Sequence, residues 1–358
     1  MSIQKTSLYE EHLSLNAKMA PFAGFDMPLQ YTSVKEEVLA VRKNAGVFDV
    51  SHMGEFLVTG PEAIAFVDYI VTNDFQNAEM KKAVYSPLCR ENGTVIDDLI
   101  AYKLTEDRVL ICVNASNIEK DWNWISTQAS AFKCNIENQS SDYSLLAIQG
   151  PESEKIIRNL GILTIADFPY YSITETNFQG QKLIIARTGY TGEDGFEIFT
   201  SHTFAKQLWK QFLDSGVKPC GLAARDVLRL EVCYPLYGHE LTDEVTPLDS
   251  GLAWTVKMTK NKFIGKDALA IYKPRYQLVK LSLEKGIPRE GYSVLDINNN
   301  TIGKVTSGTM SVCTGKGIAM ALIEKDKIPT DKKYLINIRN TNYEANFHAK
   351  AFITGGHK

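Results

Sequence analysis

The chain lacks most of the features that make a function class readable at a glance. No apolar run approaches the ~20 residues that a membrane helix needs, because Asp, Asn or Lys interrupts every such stretch. No membrane role is expected. The first residues, Met-Ser-Ile-Gln-Lys-Thr-Ser-Leu, have neither an apolar signal core nor an arginine-rich transit pattern, so the expected location is cytoplasmic. Cysteine is sparse and dispersed. Cys89, Cys112, Cys134, Cys220, Cys233 and Cys313 form no Cys-x-x-Cys pair, which argues against a zinc or iron–sulfur site and suits reduced thiols. Six histidines occur, none at the i, i+4 spacing of a helical metal pair, so no metal is expected and His52 reads as a structural residue. A Walker lysine pattern is missing, no Gly-x-Gly-x-x-Gly follows a strand, and no internal repeat is visible. The net charge of −3 gives no footprint for nucleic acid.

What remains is an ordinary globular composition, 44% hydrophobic and 23% charged, on a chain of 358 residues. That length exceeds the size at which one core usually stops growing, so two or three domains are expected. Helical periodicity predicts helices over Thr32–Ala45, Pro61–Ile70, Ala115–Ala131, Pro151–Leu160, His202–Leu213 and Gly221–Val232. Strand-like runs lie at Gly54–Thr59, Ala83–Leu88, Thr94–Leu104, Arg108–Val113, Tyr143–Gln149, Lys182–Arg187 and Gly195–Thr200. Short turns between the strands favour a mixed, mainly antiparallel α+β architecture over a doubly wound sheet. Beyond about Lys273 only short strands and turns appear, with Asn298-Asn-Asn300 and Gly303 in one hairpin turn and Gly315-Lys-Gly317 in another. That part reads as a small all-β unit.

The segment Arg187-Thr-Gly-Tyr-Thr-Gly-Glu-Asp-Gly-Phe-Glu197 reads as a site, because three glycines and several hydroxyl and acidic groups crowd one turn. Alternation along Gly-Phe-Glu-Ile-Phe sends the Glu197 carboxylate to the face opposite Phe196 and Ile198. The pair Asp97-Asp98 lies within a strand pattern, so one carboxylate points to each face and at least one needs a polar destination. Tyr102 falls on the face of Asp98. Arg225 and Arg229 share a helix face, and Arg225 offers planar, paired donors. Tyr85 and Tyr234 have faces suited to stacking on a ring. Lysines gather at Lys257–Lys266 and Lys325–Lys333, either as solvated surface or as a patch for an acidic partner.

Taken in order, these pieces resemble the T-protein of the glycine cleavage system, a tetrahydrofolate-dependent aminomethyltransferase. The resemblance is carried by the 187–197 segment together with Phe22-Ala-Gly-Phe-Asp-Met-Pro28, Phe48-Asp-Val-Ser-His-Met-Gly54, Thr72-Asn-Asp74, Asp97-Asp-Leu99, Val113-Asn-Ala115, Gln149-Gly-Pro151, Gly221-Leu-Ala-Ala-Arg-Asp-Val-Leu-Arg-Leu-Glu231 and Phe263-Ile-Gly-Lys266. It implies three domains arranged like a clover around a central folate channel. Residues 1–273 would form two interleaved α+β folate-binding domains, and residues 274–358 a C-terminal β-barrel-like domain. It implies Asp98 as the catalytic group at the reactive folate nitrogens and Glu197 as the carboxylate that fixes the pterin ring. Arg225 would meet the pterin oxygen or a carboxylate of the folate tail, and Met53, Tyr85, Tyr102, Tyr190 and Tyr234 would line the site. Tetrahydrofolate is then a co-substrate, and the implied partner is the lipoyl carrier, the H-protein. Two other readings share the architecture: a demethylase of a small amine or sulfonium donor, and a folate-binding iron–sulfur assembly factor, whose Lys-Gly-Cys-Tyr-x-Gly-Gln-Glu hallmark does not occur here. One departure is the C-terminus, where family members often carry an arginine; none follows Arg339, and Lys350 is the candidate substitute.

Overall fold

A computed structural model describes residues 3–356. Two sheets face each other and helices cover their outer sides. The first sheet has six strands in the order Ile173–Phe178, Gln181–Ala186, Gly195–Thr200, Ser144–Gln149, Gly46–Asp49 and Lys218–Pro219. The second has five: Ala83–Cys89, Val95–Thr105, Arg108–Val113, Gly54–Thr59 and Asn135–Asn138. Ladder pairings are antiparallel except for the short contact of Lys218–Pro219 with Gly46–Val47.

Period-two alternation divides the core into three layers. Leu146, Ile148, Phe196 and Ile198 point out of the six-stranded sheet onto Phe204, Leu208, Trp209 and Phe212 of helix His202–Asp214. Leu99, Ala101, Val109 and Ile111 point out of the five-stranded sheet onto helices Ala63–Ile70 and Ile118–Ala129. Their sequence neighbours Tyr102, Leu110, Cys112, Leu145, Ala147 and Phe199 meet between the sheets, where helix Leu222–Glu231 adds Ala224, Val227 and Leu228. A shift of one residue in any of these strands would exchange its core face for the other, so burial fixes the register. Caps set the helix starts: Ser33 accepts from Glu36 N, and Ser201 accepts from Phe204 N.

A third unit is a closed barrel in the order Tyr276–Leu283, Gly317–Glu324, Thr301–Met310, Ser293–Leu295, Tyr334–Ile338 and Thr341–His348. The mixed α+β class and the terminal barrel agree with the sequence reading. Details differ. Ala115–Ala131 is a 3₁₀ turn, Ala115–Asn117, followed by helix Ile118–Ala129. Gly303 is not in a turn but inside strand Thr301–Met310, where a Cβ would lie 2.2 Å from the Leu322 carbonyl oxygen of the neighbouring strand. Residues 298–300 do lie in the hairpin turn, which Asp296 closes by accepting from Asn298 N and Asn300 N through its carboxylate. A hairpin of Lys18–Phe22 with Phe25–Gln30 escaped sequence reading because Pro21 and Pro28 interrupt its strands.

Candidate functional site

The inner faces of the two sheets bring the sequence candidates together. Asp98 and Tyr102 project from one strand, Val95–Thr105, while Asp97 between Ile96 and Asp98 turns to the outer side. Asp98 accepts from Tyr85 Oη at 2.9 Å, across the Ala83–Cys89 pairing, and from Asn114 Nδ2 at 2.8 Å. Burial and then the neighbouring charge of Asp97 raise its carboxyl from the ordinary range to about 7, against which the bonds from Tyr85 and Asn114 act. Tyr85 itself stacks on Trp254, with centroids 6.2 Å apart, and Trp254 is 59% exposed.

Across the inter-sheet space, Glu197 is 8% exposed and accepts from Thr188 Oγ1 at 2.5 Å and from Tyr102 Oη at 3.5 Å, both through Oε2. Arg225 enters from helix Leu222–Glu231. Its guanidinium lies 4.9 Å from the Tyr190 ring centroid, and Nη1 is buried with no protein hydrogen-bond partner. Burial lowers its proton affinity while the charge of Glu197 opposes that. Asp226 and Glu231 on the same helix do not pair with Arg225. Asp226 pairs with Arg229 at 2.8 Å, and Glu231 pairs with Arg42 at 2.8 Å. Tyr190 and Tyr234 tilt against each other at 5.9 Å. Tyr190 lies close enough to feel the charges of both Asp98 and Arg225, which links the two halves of the site. Met53 packs against the inter-sheet cluster that contains Tyr102. His52 beside it is 3% exposed and packs on Phe22 and Phe25; burial pushes its imidazole down to about 4, so it stays neutral.

Tyr102 and Met53 belong to the inter-sheet cluster, and Asp98, Tyr85, Glu197, Arg225, Tyr190 and Tyr234 are tied to it or to one another by the contacts above, but the glycine-rich segment works differently from its sequence reading. Only Gly192 has a left-handed backbone, at φ 80°. Gly189 and Gly195 are required because a Cβ on either would collide with the Gln149 side chain. Arg187 belongs to the scaffold: it grips Asp194 and Glu154, each at 2.7 Å. Arg229 is likewise a strut, bonded to Glu240 at 3.0 Å and to Ser307 of the barrel at 2.7 Å. Lys350 is exposed. In the 257–266 cluster, Lys260 Nζ is bound by the carbonyls of Asp68, Val71 and Asn73, and Lys266 Nζ by those of Lys260 and Asn261. Lys257 and Lys262 are exposed, Lys262 lying over the Tyr69 ring at 5.2 Å.

Comparison with known proteins decides the family. The GCVT N-terminal domain matches residues 8–260, and the glycine cleavage T-protein C-terminal barrel domain matches residues 277–353. The chain belongs to the glycine cleavage T-protein family. An aminomethyltransferase of Thermosipho melanesiensis is 46% identical over 358 residues, covering 99% of this chain and 98% of that protein. One from Staphylococcus epidermidis is 44% identical over 350 residues, 96% of each chain. The crystal structure of the glycine cleavage system aminomethyltransferase T from Bartonella henselae superposes with a TM-score of 0.94 at 32% identity, covering 99% of both chains.

Sequence reasoning missed several buried polar groups beside these candidates. Asn114 was visible only as part of a family fragment, yet its amide spans Asp97 Oδ1 and Asp98 Oδ1, each at 2.8 Å. Asp121 could have been found, since it lies on the buried stripe of its helix with Ile125 and Ala129. Glu55 is 1% exposed with Oε2 unpaired; burial, then the charge of Glu197, raises its carboxyl well above the usual range.

Proposed function

We propose that this T-protein family member transfers the one-carbon unit of an aminomethyl-lipoyl carrier, the H-protein, to tetrahydrofolate, with release of ammonia and formation of methylenetetrahydrofolate. One observation carries the reading. A carboxyl with raised proton affinity, Asp98, shares the inter-sheet space with a carboxylate–guanidinium set, Glu197 and Arg225, that retains unused hydrogen-bonding capacity. That set suits a pterin. Glu197 offers Oε1 to the ring's amino and N–H donors, its Oε2 being held by Thr188 and Tyr102, and the free Nη1 of Arg225 suits the ring oxygen or a tail carboxylate. Tyr85, Tyr102, Tyr190, Tyr234 and Met53 supply the walls.

The chemistry follows from the position of Asp98. As the carbon–nitrogen bond of the carrier adduct breaks, ammonia departs and the remaining carbon becomes cationic. One folate nitrogen attacks that carbon, the carbon–sulfur bond breaks, and a second folate nitrogen closes onto the same carbon; of the two N–H protons released, one goes to the departing ammonia and the other to the sulfur, which returns the carrier dithiol. The Asp98 carboxylate stabilises the cation and takes the proton of the attacking nitrogen, while Glu197 holds the ring in line. No group of three or more His, Cys, Asp or Glu able to hold a metal ion exists among the described residues, and the route uses none. Six free cysteines support a cytoplasmic setting.

The test is ammonia release from an aminomethyl-lipoyl carrier with and without tetrahydrofolate, in wild type and Asp98→Asn. The variant is expected to bind folate within a few-fold of wild type and to lose roughly two orders of magnitude in transfer. Normal turnover would remove Asp98 from its role. Activity on free dimethylglycine or a sulfonium donor, with none on the carrier, would replace the whole reading by that of a demethylase.

A further inference from the structure

Behind Asp98, on the outer side of the five-stranded sheet, stand two more carboxyl groups that the transfer chemistry does not use. Asp97 and Asp121 are both fully buried. Asp97 is well supplied with donors: Asn114 N at 3.2 Å, Asn114 Nδ2 at 2.8 Å and Asn117 Nδ2 at 2.8 Å. Asp121 has none. Both of its oxygens are buried without a donor, and the group its carboxyl meets is that of Asp97. Two ionised carboxylates in contact inside a protein repel strongly, so such a contact persists when one proton lies between them. The surroundings offer no cation in place of that proton. Lys120, whose charge reaches Asp121, is engaged elsewhere, 3.9 Å over the Tyr237 ring and 3.8 Å from Asp243.

We propose that Asp97 and Asp121 share one proton and so present a single fixed negative charge to the back of Asp98, making the pair a positioning element that sets the pH at which Asp98 changes protonation. The inference rests on the role given to Asp98 above. The bridge between pair and site is the side-chain amide of Asn114, which contacts one oxygen of each strand carboxyl. The groups facing Asp98 are Asp97 on its own strand, Tyr85 from the adjoining strand, Asn114, and Tyr190 from the glycine-rich segment. Those facing Asp121 are Asp97, Lys120 and, farther off, Asp98. Burial and then the charge of Asp97 raise Asp121 to about 11, in accord with a proton retained through the neutral range. Charge and geometry agree.

The sign of the linkage is fixed. A carboxyl whose folded proton affinity is raised binds a proton that the unfolded chain has already released. Its contribution to stability is full below pH ~4 and is lost as pH rises toward its folded value, by a factor of about ten in the folding constant per pH unit. Asp121→Asn replaces the shared proton by a permanent amide donor and leaves the charge on Asp97. Asp97→Asn combined with Asp121→Asn removes the charge.

The experiment measures urea unfolding of the full chain from pH 6 to 9, and the pH dependence of ammonia release per carrier turnover. Asp121→Asn is expected to flatten the wild-type stability slope by about one proton, close to tenfold per pH unit in the folding constant, while the pH limb of transfer stays where it was. The double variant is expected to move that limb down by about one pH unit or more, since Asp98 no longer faces a neighbouring charge. An unaltered stability slope in Asp121→Asn overturns the shared proton, whatever Asp98 does, and that measurement stands even if the double variant fails to fold. A double variant that folds and keeps its limb overturns the control of Asp98. Full transfer by Asp98→Asn, in contrast, defeats the catalytic reading and leaves the proton count of the pair to be judged by unfolding alone.

Discussion

Glutamine at position 197 is the sharpest single probe of the ligand set. Oε2 of Glu197 is committed inside the protein, to Thr188 Oγ1 at 2.5 Å and Tyr102 Oη at 3.5 Å. Among the described residues no donor reaches Oε1, so that oxygen is the one available to a bound ring. In Glu197→Gln the carbonyl oxygen keeps the Thr188 hydroxyl satisfied, and the new NH₂ must then sit where Oε1 was. A pterin would meet donor with donor. Leaving a buried polar group unsatisfied costs about 1–3 kcal/mol, which is roughly a 5- to 150-fold loss in affinity. The substitution also removes the charge that favours ionised Arg225, so the weakening should fall in the upper half of that range. Calorimetric titration of tetrahydrofolate reads the affinity directly, and a thermal melt checks that the fold is retained. An affinity within twofold of wild type in a variant that melts normally would refute the assignment of Glu197 to the ring.

Other expectations follow from the same geometry. Asp98, raised to about 7, should give a one-proton limb near that pH in transfer, with the rate rising as the carboxylate forms; its raised value also means that its share of stability is lost as pH climbs through 7, and a flat profile between pH 6 and 8 would contradict it. Arg229→Leu leaves the buried Glu240 without its cation and should cost about 3–5 kcal/mol in urea unfolding, whereas a loss below about 1 kcal/mol would show the strut to be dispensable. Lys257→Glu with Lys262→Glu should raise the apparent Michaelis constant for the carrier and reduce its salt dependence while leaving folate binding intact, and equal constants would place docking elsewhere.

The parts of this protein that could be read from sequence are those governed by local periodicity. Alternation alone separated Asp97 from Asp98 and turned Glu197 away from Phe196, and both divisions recur in the folded sheets. Helices Val34–Lys43 and His202–Asp214 lie where periodicity marked them because capping serines and apolar stripes sit close together in the chain. What failed was long-range. Gly189 and Gly195 look like ligand-facing glycines until Gln149, 40 or more positions earlier, is seen packed on them. Lys260 looks like a solvated charge until three backbone carbonyls from 68–73 close around it. Asp121 looks like one more helix acid, and its meeting with Asp97 is a product of tertiary packing that no spacing rule reports.

Helix Leu222–Glu231 carries a consequence for how this chain can be cut or recombined. One end presents Arg225 to the inter-sheet space; farther along, Arg229 bonds Ser307, and Glu231 accepts from Ser311 Oγ at 2.8 Å and Cys313 N at 3.0 Å, all on barrel residues. Glu240 takes Thr306 in the same way, and the tail returns so that Ile353 N reaches Glu231 O and Gly356 N reaches Gly192 O. Deleting the barrel would thus remove donors from two buried acids and an acceptor from a buried cation at once, leaving Glu231 with Arg42 and Glu240 with Arg229, and would loosen the rod that aims Arg225. The two stretches that family comparison recognises separately are tied together by buried hydrogen bonds. A chimera that grafts a foreign barrel onto residues 8–260 would need to supply hydroxyls at the places of Thr306, Ser307 and Ser311, or inherit an arginine that no longer points at its ligand.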